Sequence, residues 1–236
     1  MGRIPRIDIA SQIYHVINRS NARMPIFETS QDFGAFENIL QEAKSKYAIN
    51  LYAYQLMPNH WHFCLSPQKD GEMTRFVKWI TLTHTKRSHA FRDSAGSGHV
   101  YQGRYKSFLI QEGAAFLQVC RYIERNALRA GLVQKAEDWQ WSSLWRRMFG
   151  ENDQKRLLSQ WPVAYSEDYL DWVNAPQQSE IVNQLRTSVN RCSPYGKSEW
   201  ASKMIGQFNL ASTLRKPGRP KSGKRCQESF CGQNDS

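Results

Sequence analysis

The 236-residue sequence predicts an α+β protein built on an antiparallel sheet. Segments of strand-like composition alternate with segments of helical period, a tight hairpin signal sits between two adjacent strands, and no run of βα units points to a doubly wound parallel sheet. Residues 13–17, Ile-Tyr-His-Val-Ile, are β-rich and lead into the turn-prone Asn18-Arg19-Ser20-Asn21, which marks a first strand. Ser30 offers an N-cap to a helix on which Phe33, Phe36, Leu40, Ala43 and Tyr47 recur at i, i+3 and i+4 spacing. Residues 49–57 read as a second strand, Pro58-Asn59 as a turn, and residues 60–65 as its partner strand. Met73, Phe76, Val77, Ile80, His84 and Phe91 mark the apolar side of a second helix, which the Gly/Ser-rich residues 94–98 interrupt. Residues 104–111 supply a further strand, and residues 113–129 a third helix with Gly131 suited to its C-terminal cap. Past Trp141-Ser142-Ser143 the composition becomes helical and polar, with two short helices expected around Pro176 over residues 167–190. The last two dozen residues are basic and rich in Pro and Gly, with little to bury, so a disordered tail is expected.

Charge narrows the partner. Lys and Arg outnumber Asp and Glu by 32 to 21, a net charge of +11, which attracts polyanions and nucleic acid above all. An excess of this kind also describes a basic protein that binds nothing in particular, so charge alone decides little. No apolar run reaches the roughly 20 residues that span a bilayer, no long basic amphipathic helix suggests a membrane surface, and the first residues lack a signal-peptide core. A cytoplasmic protein without a membrane partner is expected. Cys64, Cys120, Cys192, Cys226 and Cys231 are odd in number and contain no Cys-x-x-Cys pair, so neither a disulfide framework nor a zinc knuckle is indicated.

Two segments carry chemistry. In Pro58-Asn59-His60-Trp61-His62-Phe63, strand alternation puts His60 and His62 on one face and Trp61 and Phe63 on the other. Two imidazoles so placed can hold one divalent cation, although the same pattern describes polar residues on a solvated sheet face. On the third helix Phe116, Val119, Cys120, Ile123 and Ala127 form a core stripe. Tyr122 and Asn126 lie one turn apart on its flank, with Arg121, Arg125 and Arg129 as a basic ridge beyond. An interfacial tyrosine beside a solvated charged face fits that helix equally well. A neutral phenol is a poor nucleophile, and attack on a phosphodiester needs charge stabilisation that a divalent cation supplies. Two histidines and an amide oxygen leave open positions on an octahedral ion, which suits Mg²⁺ or Mn²⁺, whereas a structural zinc site is closed and usually rich in sulfur. Glu124 lies well round the helix from Tyr122 and is not expected as a third ligand.

Read in order, residues 14–19 (YHVINR), 54–62 (YQLMPNHWH), 103–106 (GRYK) and 121–133 (RYIERNALRAGLV) resemble the REP-associated tyrosine transposases, single-tyrosine HUH nucleases related to the transposases of small insertion sequences. Trp141-Ser142-Ser143 and the closing Gly-Arg-Pro-Lys fit as well, so the likeness covers nearly the whole chain. It implies a ferredoxin-like antiparallel sheet flanked by helices, a helical C-terminal extension and a basic tail, with the catalytic domain over residues 1–147, the extension over 148–212 and the tail over 213–236. It also implies cleavage of single-stranded DNA beside palindromic hairpins, with His60, His62 and Asn126 as metal ligands and Tyr122 forming a 5′-phosphotyrosine. The family commonly has Asn-Pro where this chain has Asn126-Ala127, and a Gly at Ser20; a less sharply terminated helix and a locally altered turn follow. Arg104, Lys106, Arg121, Arg125 and Arg129 are expected along the DNA backbone. Lys216, Arg219 and Lys221 of the tail are candidate groove contacts, and Trp61, Trp79 and Tyr105 candidate stacking platforms. A monomer or weak dimer is expected. The competing reading is a DNA-hairpin-binding regulator on the same scaffold that no longer cleaves.

Overall fold

The computed structural model describes residues 6–93, 96 and 98–214. Its centre is a four-stranded sheet of β1 (Ile13–Arg19), β2 (Ile49–Met57), β3 (His60–Pro67) and β4 (Lys106–Ile110), in the order β2-β3-β1-β4 with every pairing antiparallel. Helix α1 (Ser30–Lys46) connects β1 to β2 and α2 (Glu72–Phe91) connects β3 to β4, which is the ferredoxin-like arrangement. Helices α3 (Ala114–Glu124) and α4 (Asn126–Arg129) follow β4. Beyond them come α5 (Ser143–Phe149), α6 (Asn152–Lys155), α7 (Tyr169–Asn174), α8 (Ser179–Arg191) and α9 (Ser198–Gln207). Among the described residues no helix is long and apolar enough to cross a membrane.

The sheet is covered on both faces because its strands present different sets of side chains to each. Tyr14, Val16, Leu51, Leu56, Trp61, Phe63, Leu65 and Leu109 pack with Phe36, Leu40, Phe76, Val77 and Ile80 of α1 and α2 in the main apolar core. Ile13, Tyr52, Ala53, Cys64, Phe108 and Ile110 face the other way and pack with Phe116, Val119, Cys120 and Ile123 of α3. The bulge in β2 between Leu51 and Ala53 accommodates the extra Tyr52, whose ring meets Phe116 edge-on.

Several local expectations change in detail. The α1 cap is Thr29, one residue before Ser30; its hydroxyl accepts from the Asp32 amide while the Asp32 carboxylate accepts from the Thr29 amide, a reciprocal capping box. Strand β1 runs on through Arg19, because the register with β3 continues to the Arg19–His60 pair. Phe91, at the last turn of α2, has passed the sheet and stands 67% exposed. The expected single helix over 113–129 is two, broken at Arg125, and Gly131 takes the positive φ of 71° expected of a terminating glycine. The tail residues Lys216, Arg219 and Lys221 lie outside the described residues.

The C-terminal segments close the sheet's edges. Backbone groups of β2 bond to Trp141 and Ser159, and the Trp139 and Trp161 indole N–H groups donate to the Leu56 and Tyr52 carbonyls. On the opposite edge Tyr195 exchanges backbone hydrogen bonds with Leu109 and Gln111 beside β4. Unpaired edge groups that would otherwise template pairing with another chain are thereby satisfied. Glu124, completely buried at the end of α3, accepts from Ser143 Oγ at 2.6 Å and Tyr169 Oη at 2.8 Å and pairs with Arg147, locking α3 to α5 and α7.

Candidate metal and nucleophile site

Residues from β1, β3, α3 and α4 meet on the α3 side of the sheet. Trp61 and Phe63 are fully buried in the core beneath β3, so the alternation of the strand delivers His60 and His62 to the opposite face, their ring centroids 4.9 Å apart. The His60 Nδ1 donates to Asn59 Oδ1 at 2.6 Å, which makes Nε2 the acceptor nitrogen. His62 Nδ1 lies 2.8 Å from Nε2 of His15, a fully buried residue on β1. Burial, reinforced by the neighbouring Arg19 and Arg129, pushes His60 down to about 4. Burial with the charge of His60 takes His15 down to about 3, and burial holds His62 well below the usual imidazole range. All three rings are neutral at neutral pH, the form in which an imidazole nitrogen ligates a metal.

Tyr122 stands edge-on to these rings, 6.2 Å from His62 and 6.4 Å from His15 between centroids. The Arg129 guanidinium lies 4.2 Å over the Tyr122 ring, and its Nη2 donates to Asn126 Oδ1 at 2.6 Å. The Asn126 amide nitrogen is 3.5 Å from His60 Nε2. A half-turn of that amide would aim its oxygen at the histidines and would require Arg129 to let go of it, since the amide N–H would then face the guanidinium N–H. The break at Arg125 leaves Tyr122 and Asn126 facing the same cavity, of about 360 Å³, together with His60, His62, Arg19 and Arg129. Arg186, Val189 and Asn190 of α8 form its outer wall, and no carboxylate lines it.

The donor set fits a divalent cation. Two neutral imidazoles open onto one space beside an amide. With no carboxylate to offset its charge and three arginines nearby, a cation there would be balanced by phosphate oxygens, so the metal and a polyanion would bind as partners.

The three arginines of the expected ridge part company. Arg121 is 5% exposed, donates to the Ala175 carbonyl at 2.7 Å and lies 4.4 Å over the Trp172 ring. Arg125 donates to the Val173 and Asn174 carbonyls at 3.2 and 2.8 Å. Both therefore satisfy orphan carbonyls at the C-terminal end of α7, and of the three Arg129 alone faces the cavity. Arg104 and Lys106 are exposed and line an adjoining cavity with Arg19. Trp61 is inaccessible as a stacking platform, Trp79 is half-buried beneath Lys46, and Tyr105 is buried beneath Arg6.

Sequence reasoning missed His15, Arg19 and Arg186. His15 and Arg19 share a strand face by alternation, a signal that becomes readable once β1 is paired with β3. Arg186 carries no motif.

A family model described as "Transposase IS200 like" matches residues 8–126, a span that contains His60, His62, Tyr122 and Asn126. No curated protein matches the chain. Among solved structures, a REP-associated tyrosine transposase bound to a REP hairpin is 17% identical, covering 75% of this chain and 99% of that one with a TM-score of 0.52, a likeness of fold. A candidate transposase from Deinococcus radiodurans R1 is 19% identical and covers 57% of this chain and 92% of that one, with a TM-score of 0.37.

Proposed function

The chain belongs to the IS200-like transposase family, and on that premise we propose that it is a metal-dependent single-strand DNA endonuclease and strand transferase of the REP-associated group. It acts beside palindromic hairpins through a 5′-phosphotyrosine. The observation that carries this reading is the meeting of Tyr122, His60, His62 and Asn126 at one carboxylate-free cavity, with the imidazoles held neutral by burial.

His60 and His62, through Nε2, and Asn126, through its amide oxygen after the half-turn, would hold Mg²⁺ or Mn²⁺. The bound ion would supply positive charge to the phosphoryl oxygens. Asn59 and His15 fix the histidine rings by engaging each Nδ1. Arg129, packed on the phenol ring, is placed to meet a nonbridging phosphate oxygen. Tyr122 Oη loses its proton to solvent and forms the new O–P bond. The O3′–P bond breaks, and the departing 3′ oxygen takes up a proton. A DNA 3′-hydroxyl later reverses these roles, because the phosphotyrosine ester conserves the bond. All these groups come from one chain, so the reading requires no second copy.

The test is a denaturing-gel assay for a covalent protein–DNA adduct, using a hairpin-bearing single strand from beside the gene with Mg²⁺ or Mn²⁺. An adduct on the 5′ side of the cut that disappears with Tyr122→Phe and on chelation is expected. Tight hairpin binding without any adduct, under either metal, would replace this reading with that of a binding-only regulator.

A further inference from the structure

The cavity at Tyr122 is one end of a longer groove. It shares Ile17, Arg19, Val189 and Asn190 with a cavity of about 400 Å³ that adds Arg104 and Lys106. That one shares Asn18, Gln102, Gly103 and Arg104 with a third, of about 490 Å³, running along α2. The end of β1 and the segment of residues 99–106 form the continuous floor. This segment is anchored by the Gln102 amide on the Arg19 carbonyl at 3.0 Å and the Asn21 amide on the Val100 carbonyl at 2.8 Å. The outer wall is α8, which lies beyond the residues that the family model matches.

Charge along the groove is segregated. No carboxylate lines any of the three cavities, and among the described residues Arg129, Arg186, Arg19, Lys106, Arg104 and Lys78 make no ion pair. Elsewhere several acids are matched to arginines: Glu42 with Arg87, Glu28 and Asp32 with Arg92, Glu37 with Arg146. Among the described residues, cations without an ion pair also occur elsewhere on the surface, Lys69, Lys86, Lys135 and Lys203 among them; what sets the groove apart is that its basic residues line adjoining cavities free of carboxylates that lead to Tyr122. The far cavity differs in character. Tyr105, with Arg6 4.1 Å over its ring, sits beside the hydroxyl-bearing Thr74 and Thr81 and the Gln102 amide. Apolar surface edged with donors and acceptors is what an unpaired base requires.

We propose that this groove is the track for the single-stranded DNA leading to the scissile phosphate. Its phosphates pass between Arg186 and the Arg19, Lys106 and Arg104 side, and an unpaired base is held in the cavity between α2 and Tyr105. This rests on the reading that Tyr122 cuts single-stranded DNA, and it assigns to α8 the role of completing the substrate path.

Fluorescence anisotropy tests it, with hairpin oligonucleotides extended by single strand on one side or the other of the cut, in wild type and in Lys78→Ala and Arg104→Ala/Lys106→Ala variants. These side chains are exposed, and thermal melts verify folding. Extension on one side alone should raise affinity. The variants should remove roughly tenfold of that gain, with the unextended hairpin unaffected and the salt slope reduced by about 0.7 per lost phosphate contact. Photo-crosslinking with 4-thiothymidine at successive positions should reach Tyr105 or Gln102 from one position on the same side. Equal affinity of variants and wild type for every oligonucleotide, or crosslinks confined to the outer faces of α1 and α2, would overturn the track. Adduct formation run in parallel separates the two readings. A wild type that forms the adduct while the variants bind normally sinks the track alone. A side-specific gain without any adduct sinks the cleavage reading and keeps the track.

Discussion

On β3, Trp61 and Phe63 point towards α1 and α2, while His60 and His62, one residue out of step, point towards α3. Beneath β3 the first face is filled by matching apolar shapes: Trp61 stacks on Phe63 at 4.3 Å, and Phe27, Phe36 and Phe76 lie within ring contact of this cluster or of one another. A buried histidine there, His84, shares a hydrogen bond with the Tyr101 hydroxyl at 2.8 Å. The other face keeps a cavity and buried polar atoms without hydrogen-bond partners among the described residues, including His15 Nδ1, Arg121 Nε and Arg129 Nη1. Such atoms cost stability wherever they occur. Several of them lie beside the neutral histidines and Tyr122, with Ser20 Oγ an exception on the α1 and α2 side, so beneath β3 the α3 face is the one with polar groups to offer a ligand.

Neighbouring substitutions on β3 test that division most sharply. Trp61→Ala should cost about 3–5 kcal/mol in urea unfolding, by emptying the core. His62→Ala should cost less, about 1–3 kcal/mol from the orphaned His15 nitrogen, while adduct formation falls by roughly a hundredfold or more. If the two variants exchanged these effects, the faces would have been assigned the wrong way round.

Next in size is the junction that holds α3 in place. Glu124→Ala leaves the Arg147 guanidinium without its buried partner and removes the acceptor of Ser143 and Tyr169. A loss of about 3–5 kcal/mol is expected by denaturant titration; a loss under about 1 kcal/mol would mean that this junction does not bind the layers together.

The arginines of one helical stretch give a smaller contrast. Arg121→Ala should lower stability by about 1–3 kcal/mol, since the Ala175 carbonyl loses its donor, and leave DNA affinity nearly unchanged. Arg129→Ala should do the reverse, with the weakening read as a shift in the anisotropy midpoint. Equal effects on DNA affinity would restore the simple basic ridge.

The last contrast is a pH dependence from the folding face. Burial, with Arg92 adding to it and Asp32 opposing, pushes His84 down to about 4, below its unfolded value near 6.5. A depressed histidine binds its proton more readily in the unfolded chain. Its stabilising contribution is therefore complete above pH 6.5 and is lost as the pH falls towards 4. His84→Gln should flatten the stability–pH curve over that window by up to about 1.4 kcal/mol per pH unit. An unchanged slope would assign the acid sensitivity to other groups.

Much of this organisation is written in local pattern. The alternation of His60-Trp61-His62-Phe63 separates site from core on one strand, and the one-turn spacing of Tyr122 and Asn126 beside an apolar stripe survives the break at Arg125. These are consequences of backbone period, which acts over a few residues and needs no knowledge of what packs where. Helix ends are less legible: Thr29 caps α1 in place of Ser30 because its capping box forms with Asp32.

Partners distant in sequence are set by how the elements dock. Arg121 and Arg125 look as solvated as Arg129 on a helical wheel, and their capture by the carbonyls of residues 173–175 depends on where α7 docks. His15 meets His62 because β1 lies between β3 and β4 in the sheet, and Arg186 reaches the cavity because α8 folds back over it. Residue pattern along this chain determined which groups face together on each element. The docking of elements, driven by burial of apolar surface rather than by local period, decided which faces meet, and so which of the charged groups became structural and which were left to line the groove.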